Sequence, residues 1–205
     1  MLDAYRAKLA GLHSHVCPRQ ILGLRMGMLA GELLGLGLPQ TDKRLLAFVE
    51  TDGCFADGVM VATGCAMGHR TMRLVDEGKI AAVFVDTQTG DAIRIWPAIG
   101  VRGRAAQYAP GARSRWHAQL EAYQRMRDTE LLAWRRVTPT VDLRAIISRN
   151  GVRVTCEHCG EEIINGRERQ VGESTLCISC AGSEYFRYVA DSRDVRIAVL
   201  HAQKA

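Results

Sequence analysis

Aromatic residues are scarce in this chain of 205 residues, where phenylalanine, tyrosine and tryptophan together make up 6%. Proteins that bind single-stranded nucleic acid without reading its sequence depend on aromatic side chains on which the bases stack. The net charge of +5 is modest, and the arginines that produce it are dispersed along the chain. The composition therefore disfavours a nucleic-acid-binding surface.

The sequence also has no long hydrophobic run that is free of charge. The most apolar stretch, residues 20–39, is interrupted by Arg25 and Glu32, whose charges would be costly within a bilayer. The first ten residues mix charged and apolar side chains and lack the apolar centre of a secretory signal. We therefore expect a cytoplasmic protein with no membrane partner, in which thiols stay reduced and available to bind metal.

Glycine recurs at every fourth position of the apolar stretch, at Gly23, Gly27, Gly31 and Gly35. On a buried helix this spacing forms a smooth stripe that another backbone can approach closely. Each glycine costs about 1 kcal/mol of helix propensity relative to alanine. Close packing explains the stripe without a special function. Together with the apolar face of a long helix predicted over residues 114–135, the stripe predicts a homodimer.

The strongest motif lies near the C-terminus, where two Cys-x2-Cys pairs are separated by 17 residues. Cys156 and Cys159 form the first pair, and Cys177 and Cys180 form the second. Pairs at this spacing are typical of a tetrahedral zinc site, in which each pair supplies two thiolates from a tight turn. The alternative is two disulfides or four unrelated thiols. His158 lies inside the first pair, but four thiolates complete the coordination, so we expect it not to be a ligand.

Turn signals around these cysteines predict a treble-clef zinc finger. A short strand over residues 152–156 enters the first pair, Asn165-Gly166 and Gly172 mark turns, and helical spacing follows Cys177. A structural zinc site is closed, so we expect the chemistry to lie upstream of it. The predicted domains are an α+β core over residues 1–150 and the zinc finger with its tail over residues 151–205.

The core is predicted to pack helices on a mixed or antiparallel sheet. Residues 45–50 predict a strand, and residues 55–62 predict a helix that ends near Gly64. Two apolar runs, residues 79–86 and 91–96, predict a β-hairpin. The glycine- and proline-containing segment of residues 97–112 is predicted to form a loop.

Three separate segments of the core place histidine or cysteine beside the end of a predicted element. His13, His15 and Cys17 precede a helix, whose N-terminus favours a thiolate and offers free N–H groups to an anion. Cys54 and Cys65 each follow a glycine. Imidazole and thiolate are suitable ligands for zinc, iron or copper. On the residues alone, Cys54 and Cys65 are equally well explained as small buried core residues.

These residues belong to a longer pattern. His13-x-His15-x-Cys17-Pro18 is followed by Glu50-x3-Cys54-x2-Asp57, Thr63-Gly-Cys65-x2-Gly68, Gly78-Lys79-x-Ala81 and Thr89-Gly90. Over residues 10–97 this pattern resembles the family of the formylmethanofuran dehydrogenase E subunit, some members of which also carry a C-terminal finger. The resemblance implies an α+β core that dimerises and whose histidine and cysteine positions bind a metal or cofactor. It implies no settled reaction.

The chain departs from the family pattern at several positions. Arg19 and Gly58 stand where glycine and alanine are usual, and His69-Arg70 stands where lysine is frequent. These changes leave the expected ligands intact. His69 is either an additional ligand or, as a single histidine in a loop, a surface residue.

We hypothesise that the core cysteines and histidines line one pocket. Asp57, one helical turn after Cys54, would orient an imidazole or a bound water. The candidate ligands of a second transition metal are His15, Cys17, Cys54 and Cys65, with His13 as a further ligand, and the candidate catalytic residues are Cys17, Cys54, Asp57 and Cys65.

Two functions remain open. The first is a zinc-binding metalloprotein whose core pocket binds a metal, a small molecule or a metallocofactor for redox, sulfur or metallocofactor-related chemistry, while the finger is structural. The second is a regulator that senses a metal or ligand and binds nucleic acid or a protein partner through the finger. The first is favoured because the candidate ligands converge on one domain.

Overall fold

The computed structural model describes residues 2–12, 15–148 and 151–186, and the chain divides into two compact units, residues 1–147 and 148–205. Among the described residues, no helix is both long enough and apolar enough to cross a membrane. The elements up to residue 148 are, in chain order, α1 (Leu2–Ala10), α2 (Pro18–Leu34), β1 (Leu45–Val49), α3 (Cys54–Thr63), β2 (Met72–Leu74), β3 (Ala82–Asp86), β4 (Ala92–Pro97), α4 (Val101–Tyr108), α5 (Arg115–Arg125), α6 (Asp128–Leu131), β5 (Leu132–Val137) and α7 (Leu143–Ser148).

The five strands form one mixed sheet in the order β2-β1-β3-β4-β5. Strands β1 and β2 are parallel, and the remaining neighbours are antiparallel. Because side chains alternate across a strand, Ala47 and Phe84 enter the main core with the helices, whereas Leu46 and Val85 pack on the opposite face beneath α7. The predicted α+β class and the predicted hairpin of β3 and β4 are confirmed.

Helices α2 and α3 lie so close together that glycine is required at their contact. A Cβ atom on Gly23 would overlap the carbonyl oxygen of Phe55, and farther along the helices a Cβ atom on Gly27 would lie 2.5 Å from the Cβ of Ala62. These contacts advance in the same direction along both helices. The two helices therefore run parallel, and their N-termini lie side by side.

Gly23, Gly27 and Gly31 of the glycine stripe are thus covered within the chain, whereas Gly35 is the left-handed C-cap of α2 and has open space beside it. Gly58 on α3 faces the carbonyl oxygen of Gln20 on α2, at a point where the two backbones meet. Gly31 faces the side chain of Leu38. Close packing accounts for the stripe, which therefore no longer supports the predicted homodimer.

The structure differs from prediction over residues 97–135. The segment predicted as a loop contains α4, in which Val101 and Ala105 are buried one turn apart. The predicted long helix is divided into α5, the short α6 and the strand β5. Helix α5 ends because the carbonyls of Tyr123 and Met126 accept hydrogen bonds of 2.8 Å from the guanidinium of Arg25. The following residues then pair with β4, and this tertiary pairing overrides their helical spacing.

The described residues of the second unit, 151–186, form two short hairpins and two cysteine turns. One hairpin pairs β6 (Arg153–Thr155) with β7 (Glu162–Ile164), and the other pairs β8 (Arg169–Val171) with β9 (Ser174–Leu176). Gly172, with a φ of 62°, forms the turn of the second hairpin. A helix is predicted after Cys177, but the structure has turns and irregular backbone there as far as Phe186. The rest of the predicted helix lies outside the described residues.

Candidate functional site

The four cysteines of the finger form a cluster in which the ligand atoms all lie within 4.8 Å of one another. The Cys156 sulfur accepts a hydrogen bond from the backbone N–H of Cys177 at 3.2 Å, and the Cys177 sulfur accepts one from the N–H of Cys180 at 3.4 Å. Backbone N–H groups, that of Cys159 foremost, lower the pKa of the Cys156 thiol to about 6. Such N–H donors stabilise thiolates and therefore suit a metal ligand.

The Cys180 thiol is harder to ionise than that of Cys156, because other thiols of the cluster surround it. Neighbouring thiols, that of Cys177 first, raise the pKa of Cys180 to about 12. A divalent cation at the centre reverses this effect, because its charge stabilises all four thiolates together. His158 is exposed, with its Nδ1 atom 3.4 Å from the Cys180 sulfur. The tetrahedral four-thiolate set is the arrangement of a structural zinc site.

In the core, the parallel packing of α2 and α3 brings two thiols together. Cys17 is the N-cap residue of α2, where its backbone N–H donates a 2.8 Å hydrogen bond to the side-chain oxygen of Gln20. Cys54 is the first residue of α3. Burial raises the pKa of Cys54, and a hydrogen bond with the Cys17 thiol raises it further. The two thiols are therefore direct neighbours.

Cys17 and Cys54 line a cavity of about 370 Å³, together with Pro18, Arg19, Leu22, Arg102, Trp116, Gln119 and Tyr123. The exposed His15 lies beside it, with its ring centroid 5.9 Å from that of Trp116. Asp57 is half-buried, and its charge adds to the rise in the pKa of Cys54. His13 lies outside the described residues.

Cys65 lies apart from this cavity. Its side chain is 1% exposed and its thiol donates a 3.3 Å hydrogen bond to the carbonyl oxygen of Leu45, while burial raises its pKa. Cys65 therefore matches the alternative of a small buried core residue. His69 is exposed, and Arg70 donates a 3.0 Å hydrogen bond to the carbonyl of Ile146.

The hypothesised set of His15, Cys17, Cys54 and Cys65 is not assembled as one metal site. Over residues 2–12, 15–148 and 151–186, only the finger cysteines bring three or more ligand atoms of histidine, cysteine or carboxylate together. The core instead supplies a pair of thiols, because α3 ends at Gly64 and places Cys65 one helix length from Cys54. His15 lies beside the same cavity as the pair.

Five residues of the cavity wall were not predicted from the sequence as site residues: Arg19, Arg102, Trp116, Gln119 and Tyr123. Most of them come from α4 and α5, the region in which the predicted elements were wrong. A signal was present in the charge distribution. Residues 98–148 contain nine arginines and four acidic residues, so this segment carries the whole excess of +5, and the arginines are not evenly dispersed.

A second cavity of about 540 Å³ lies on the sheet face opposite the main core. Glu50 and Arg94 line it and form a bidentate ion pair with two contacts of 2.6 Å. Lys79, which also lines it, pairs with Glu77 at 3.0 Å. The charged side chains of this cavity are thus paired with each other, and it contains no thiol.

Comparison with known proteins identifies both parts of the chain. Residues 12–133 match the family model described as "FmdE, Molybdenum formylmethanofuran dehydrogenase operon". Residues 151–186 match the model of the "Prokaryotic dksA/traR C4-type zinc finger". The second match and the geometry of the cysteine cluster together show that the finger binds zinc.

Two individual proteins are similar over most of the chain. A "Probable S-adenosyl-L-methionine-binding protein" of Archaeoglobus fulgidus is 30% identical over 194 residues, which cover 84% of this chain and 51% of that protein. This chain therefore spans about half the length of that relative. A crystal structure from Syntrophus aciditrophicus has the same fold, with a TM-score of 0.56 and 21% sequence identity. It is described as a protein like the E subunit (FmdE) of a tungsten formylmethanofuran dehydrogenase. The match covers 90% of this chain and 94% of that one. On the extent of the family match, the chain belongs to the FmdE family and carries a C-terminal four-cysteine zinc finger.

Proposed function

We propose that this protein is a metalloprotein in which the Cys17–Cys54 pair binds a metal or metallocofactor, while the finger zinc is structural. The observation that supports this proposal is the placement of two adjacent thiols in one wall of a cavity. Each thiol belongs to the N-terminal end of a helix, and a cation bound between the two sulfur atoms would supply the charge that stabilises their thiolates. Paired thiolates bind soft or borderline transition metals.

The open cavity distinguishes this pair from the finger site. Two thiolates occupy only part of a metal's coordination sphere, so positions remain for water, for a substrate or for His15 beside Trp116. A site with open positions supports redox, sulfur or metallocofactor chemistry, whereas the four-thiolate finger has no position to offer. Asp57 stands one helical turn beyond Cys54, where it would orient such a ligand.

Metal stoichiometry tests this proposal. After exposure to excess Cd²⁺ and removal of unbound ion, we expect the wild-type chain to hold one equivalent more than the Cys17→Ser/Cys54→Ser variant, because the finger binds cadmium in both. Cys65→Ala serves as the matched control, since Cys65 lies outside the cavity, and should retain the wild-type count. An equal count in the wild type and the double variant would contradict the proposal.

The second candidate function is a regulator that binds a partner through the finger. The match to the dksA/traR zinc-finger model supports it. So do Tyr185 and Phe186, two exposed aromatic residues whose ring centroids lie 4.9 Å apart. Charge disfavours nucleic acid as that partner. Residues 151–186 contain six glutamates and three arginines, and the four thiolates carry more negative charge than the zinc ion neutralises. Phosphate contacts require the opposite sign, so a protein partner is the form of this candidate that fits.

A further inference from the structure

The two charged side chains that line the Cys17–Cys54 cavity are both positive. Arg19 follows the N-terminal proline of α2, and Arg102 lies in the first turn of α4. Both line the cavity, and no aspartate or glutamate does. Among the described residues, neither arginine forms an ion pair of the kind that neutralises Arg25 with Asp128. The cavity wall therefore presents two positive charges to its contents, while Asp57, whose charge acts on Cys54, is not part of the lining.

A buried hydroxyl faces the same cavity. Tyr123 is 1% exposed and lines the cavity, and within the described part of the chain its hydroxyl oxygen has no hydrogen-bond partner. Burial raises the pKa of the phenol, and Arg102 lowers it in part through its charge and through a contact that falls short of full hydrogen-bond geometry, so the hydroxyl is a hydrogen-bond donor at neutral pH. An unsatisfied buried hydroxyl is unfavourable, and a ligand that accepts a hydrogen bond from it would remove that cost.

The remaining wall favours a flat ligand with an anionic end. The 17-residue helix α2 directs its positive N-terminal end toward the cavity, where Cys17 is the cap. Trp116, which is 38% exposed, supplies an aromatic surface, and Gln119 supplies an amide. A volume of about 370 Å³ is at the lower end of the range for small-molecule sites.

We infer that this cavity binds a small organic anion, a carboxylate or a phosphate, whose negative group contacts Arg19, Arg102 and Tyr123 and whose flat part packs on Trp116. The inference rests on the proposed function, because it names the charge and shape of the ligand held beside the thiol pair.

Thiol–disulfide exchange with two reagents tests the inference. Dithiobis(nitrobenzoate) is an aromatic disulfide that carries a carboxylate on each ring, and dipyridyl disulfide is its neutral counterpart. A thiolate of the pair attacks the reagent and releases one aromatic thiolate. The second cysteine then attacks the mixed disulfide, releases the other aromatic thiolate and closes a Cys17–Cys54 bond. The reagent is the oxidant, and each pair consumes one reagent molecule and loses two protons.

We use the protein with zinc bound in the finger and subtract the rate of the Cys17→Ser/Cys54→Ser variant. We expect Arg19→Gln and Arg102→Gln each to lower the rate with the anionic reagent roughly fivefold, through loss of one nearby charge, and to leave the rate with the neutral reagent within about twofold. Added salt should reduce the wild-type preference for the anionic reagent. Arg125→Gln, which removes an exposed charge from α5 outside the cavity, is the matched control and should leave both rates unchanged.

Protection experiments distinguish the two anions and test Tyr123. If the site binds a carboxylate, benzoate should slow the reaction of the Cys17–Cys54 pair with the neutral reagent; if it binds a phosphate, inorganic phosphate should slow that reaction. Tyr123→Phe removes only the hydroxyl, and it should raise several-fold the concentration at which the effective anion protects the thiols from the reagent. If neither anion protects and the arginine variants show no selective loss, the inference is overturned while the metal proposal stands. If neither reagent reacts with Cys17 or Cys54 in protein whose metal content is only that of the finger, the cavity does not admit such ligands and the inference is overturned, while the cadmium count decides the metal proposal separately.

Discussion

Arg25 is a charged residue that fixes the end of another helix. Its side chain is buried on α2, donates to the carbonyls of Tyr123 and Met126, and pairs with Asp128 at 2.6 Å. In the sequence, this arginine marked only an interruption of an apolar stretch. In the structure it satisfies carbonyl groups that α5 leaves open at its C-terminus, where a cation is favourable.

Replacement of Arg25 by methionine keeps much of the side-chain volume and removes every donor. We expect a loss of roughly 2 kcal/mol in the free energy of unfolding, because two buried carbonyls and Asp128 lose their partner. Urea denaturation of the zinc-loaded protein measures it. Arg125→Met is the control, since Arg125 is exposed and lies 3.7 Å from Glu121, a contact worth less than about 0.5 kcal/mol. Equal losses in the two variants would show that Arg25 has no special role.

The cysteines show how far residue types predict a site. For the finger, the spacing of the cysteines was sufficient to predict the zinc site, because each Cys-x2-Cys pair is local and its geometry follows from the turn between the two residues. The four residues are Cys156, Cys159, Cys177 and Cys180. Cys17 and Cys54 meet through the packing of two helices, which their local sequence does not encode. Cys65 follows a glycine as Cys54 does, yet enters the core, because its chain direction is set by contacts with β1.

At the scale of elements, the contact between α2 and α3 positions the thiol pair. Gly23 and Gly58 allow the backbones to touch, and the parallel direction that results brings the two helix N-termini together. The glycine spacing predicted a close approach but did not identify the partner helix. The structure shows that the partner belongs to the same chain.

Gly23→Ala should disturb this contact directly. The added Cβ atom would overlap the carbonyl oxygen of Phe55 and lie 2.9 Å from the backbone nitrogen of Val59, and neither backbone atom can move independently. We expect a loss of about 1–3 kcal/mol in the free energy of unfolding, together with slower reaction of the Cys17–Cys54 pair. Gly37→Ala is the control, because nothing lies within 4 Å of its added Cβ atom. If Gly23→Ala were as stable as Gly37→Ala, the close contact would not hold in solution.

The elements that were predicted correctly carry their signals locally, as in the alternating hairpin of β3 and β4 and the helix α3 that ends at Gly64. Residues 114–135 show the limit of such signals. Their helical spacing is genuine in α5, but residues 132–137 pair with β4 at the edge of the sheet. Whether residues 132–137 form a strand or a helix depends on the neighbouring strand β4 and not on the spacing of apolar residues within the segment.

At the scale of the whole molecule, the homodimer stays a prediction that rests on the family resemblance. Its two physical grounds have changed, since α3 covers Gly23 and Gly27, Leu38 covers Gly31, and the predicted long apolar helix is not formed. We expect light scattering at micromolar concentration to give twice the 22.6 kDa mass of one chain. A mass of one chain would contradict the prediction and leave the thiol cavity unaffected, because every residue that lines it comes from a single chain.

The finger depends on zinc because it has almost no core of its own. Among its described residues, only Cys156 and Ile163 are buried hydrophobic side chains, and each of its four strands is three residues long. A module with so little apolar burial folds only when a metal binds. Cys177→Ser should therefore abolish zinc binding at this site and expose residues 151–186 to protease, while the thermal transition of residues 2–148 is retained.

Elemental analysis and limited proteolysis, followed by mass spectrometry of the fragments, check this prediction. Cys17→Ser provides the matched control, because it removes a thiol outside the finger and should keep both the finger zinc and the protease protection of residues 151–186. The prediction fails if Cys177→Ser retains the zinc of the control and the same protection. Loss of structure in both units would also count against it, because the core has its own hydrophobic cluster and should not depend on the finger metal.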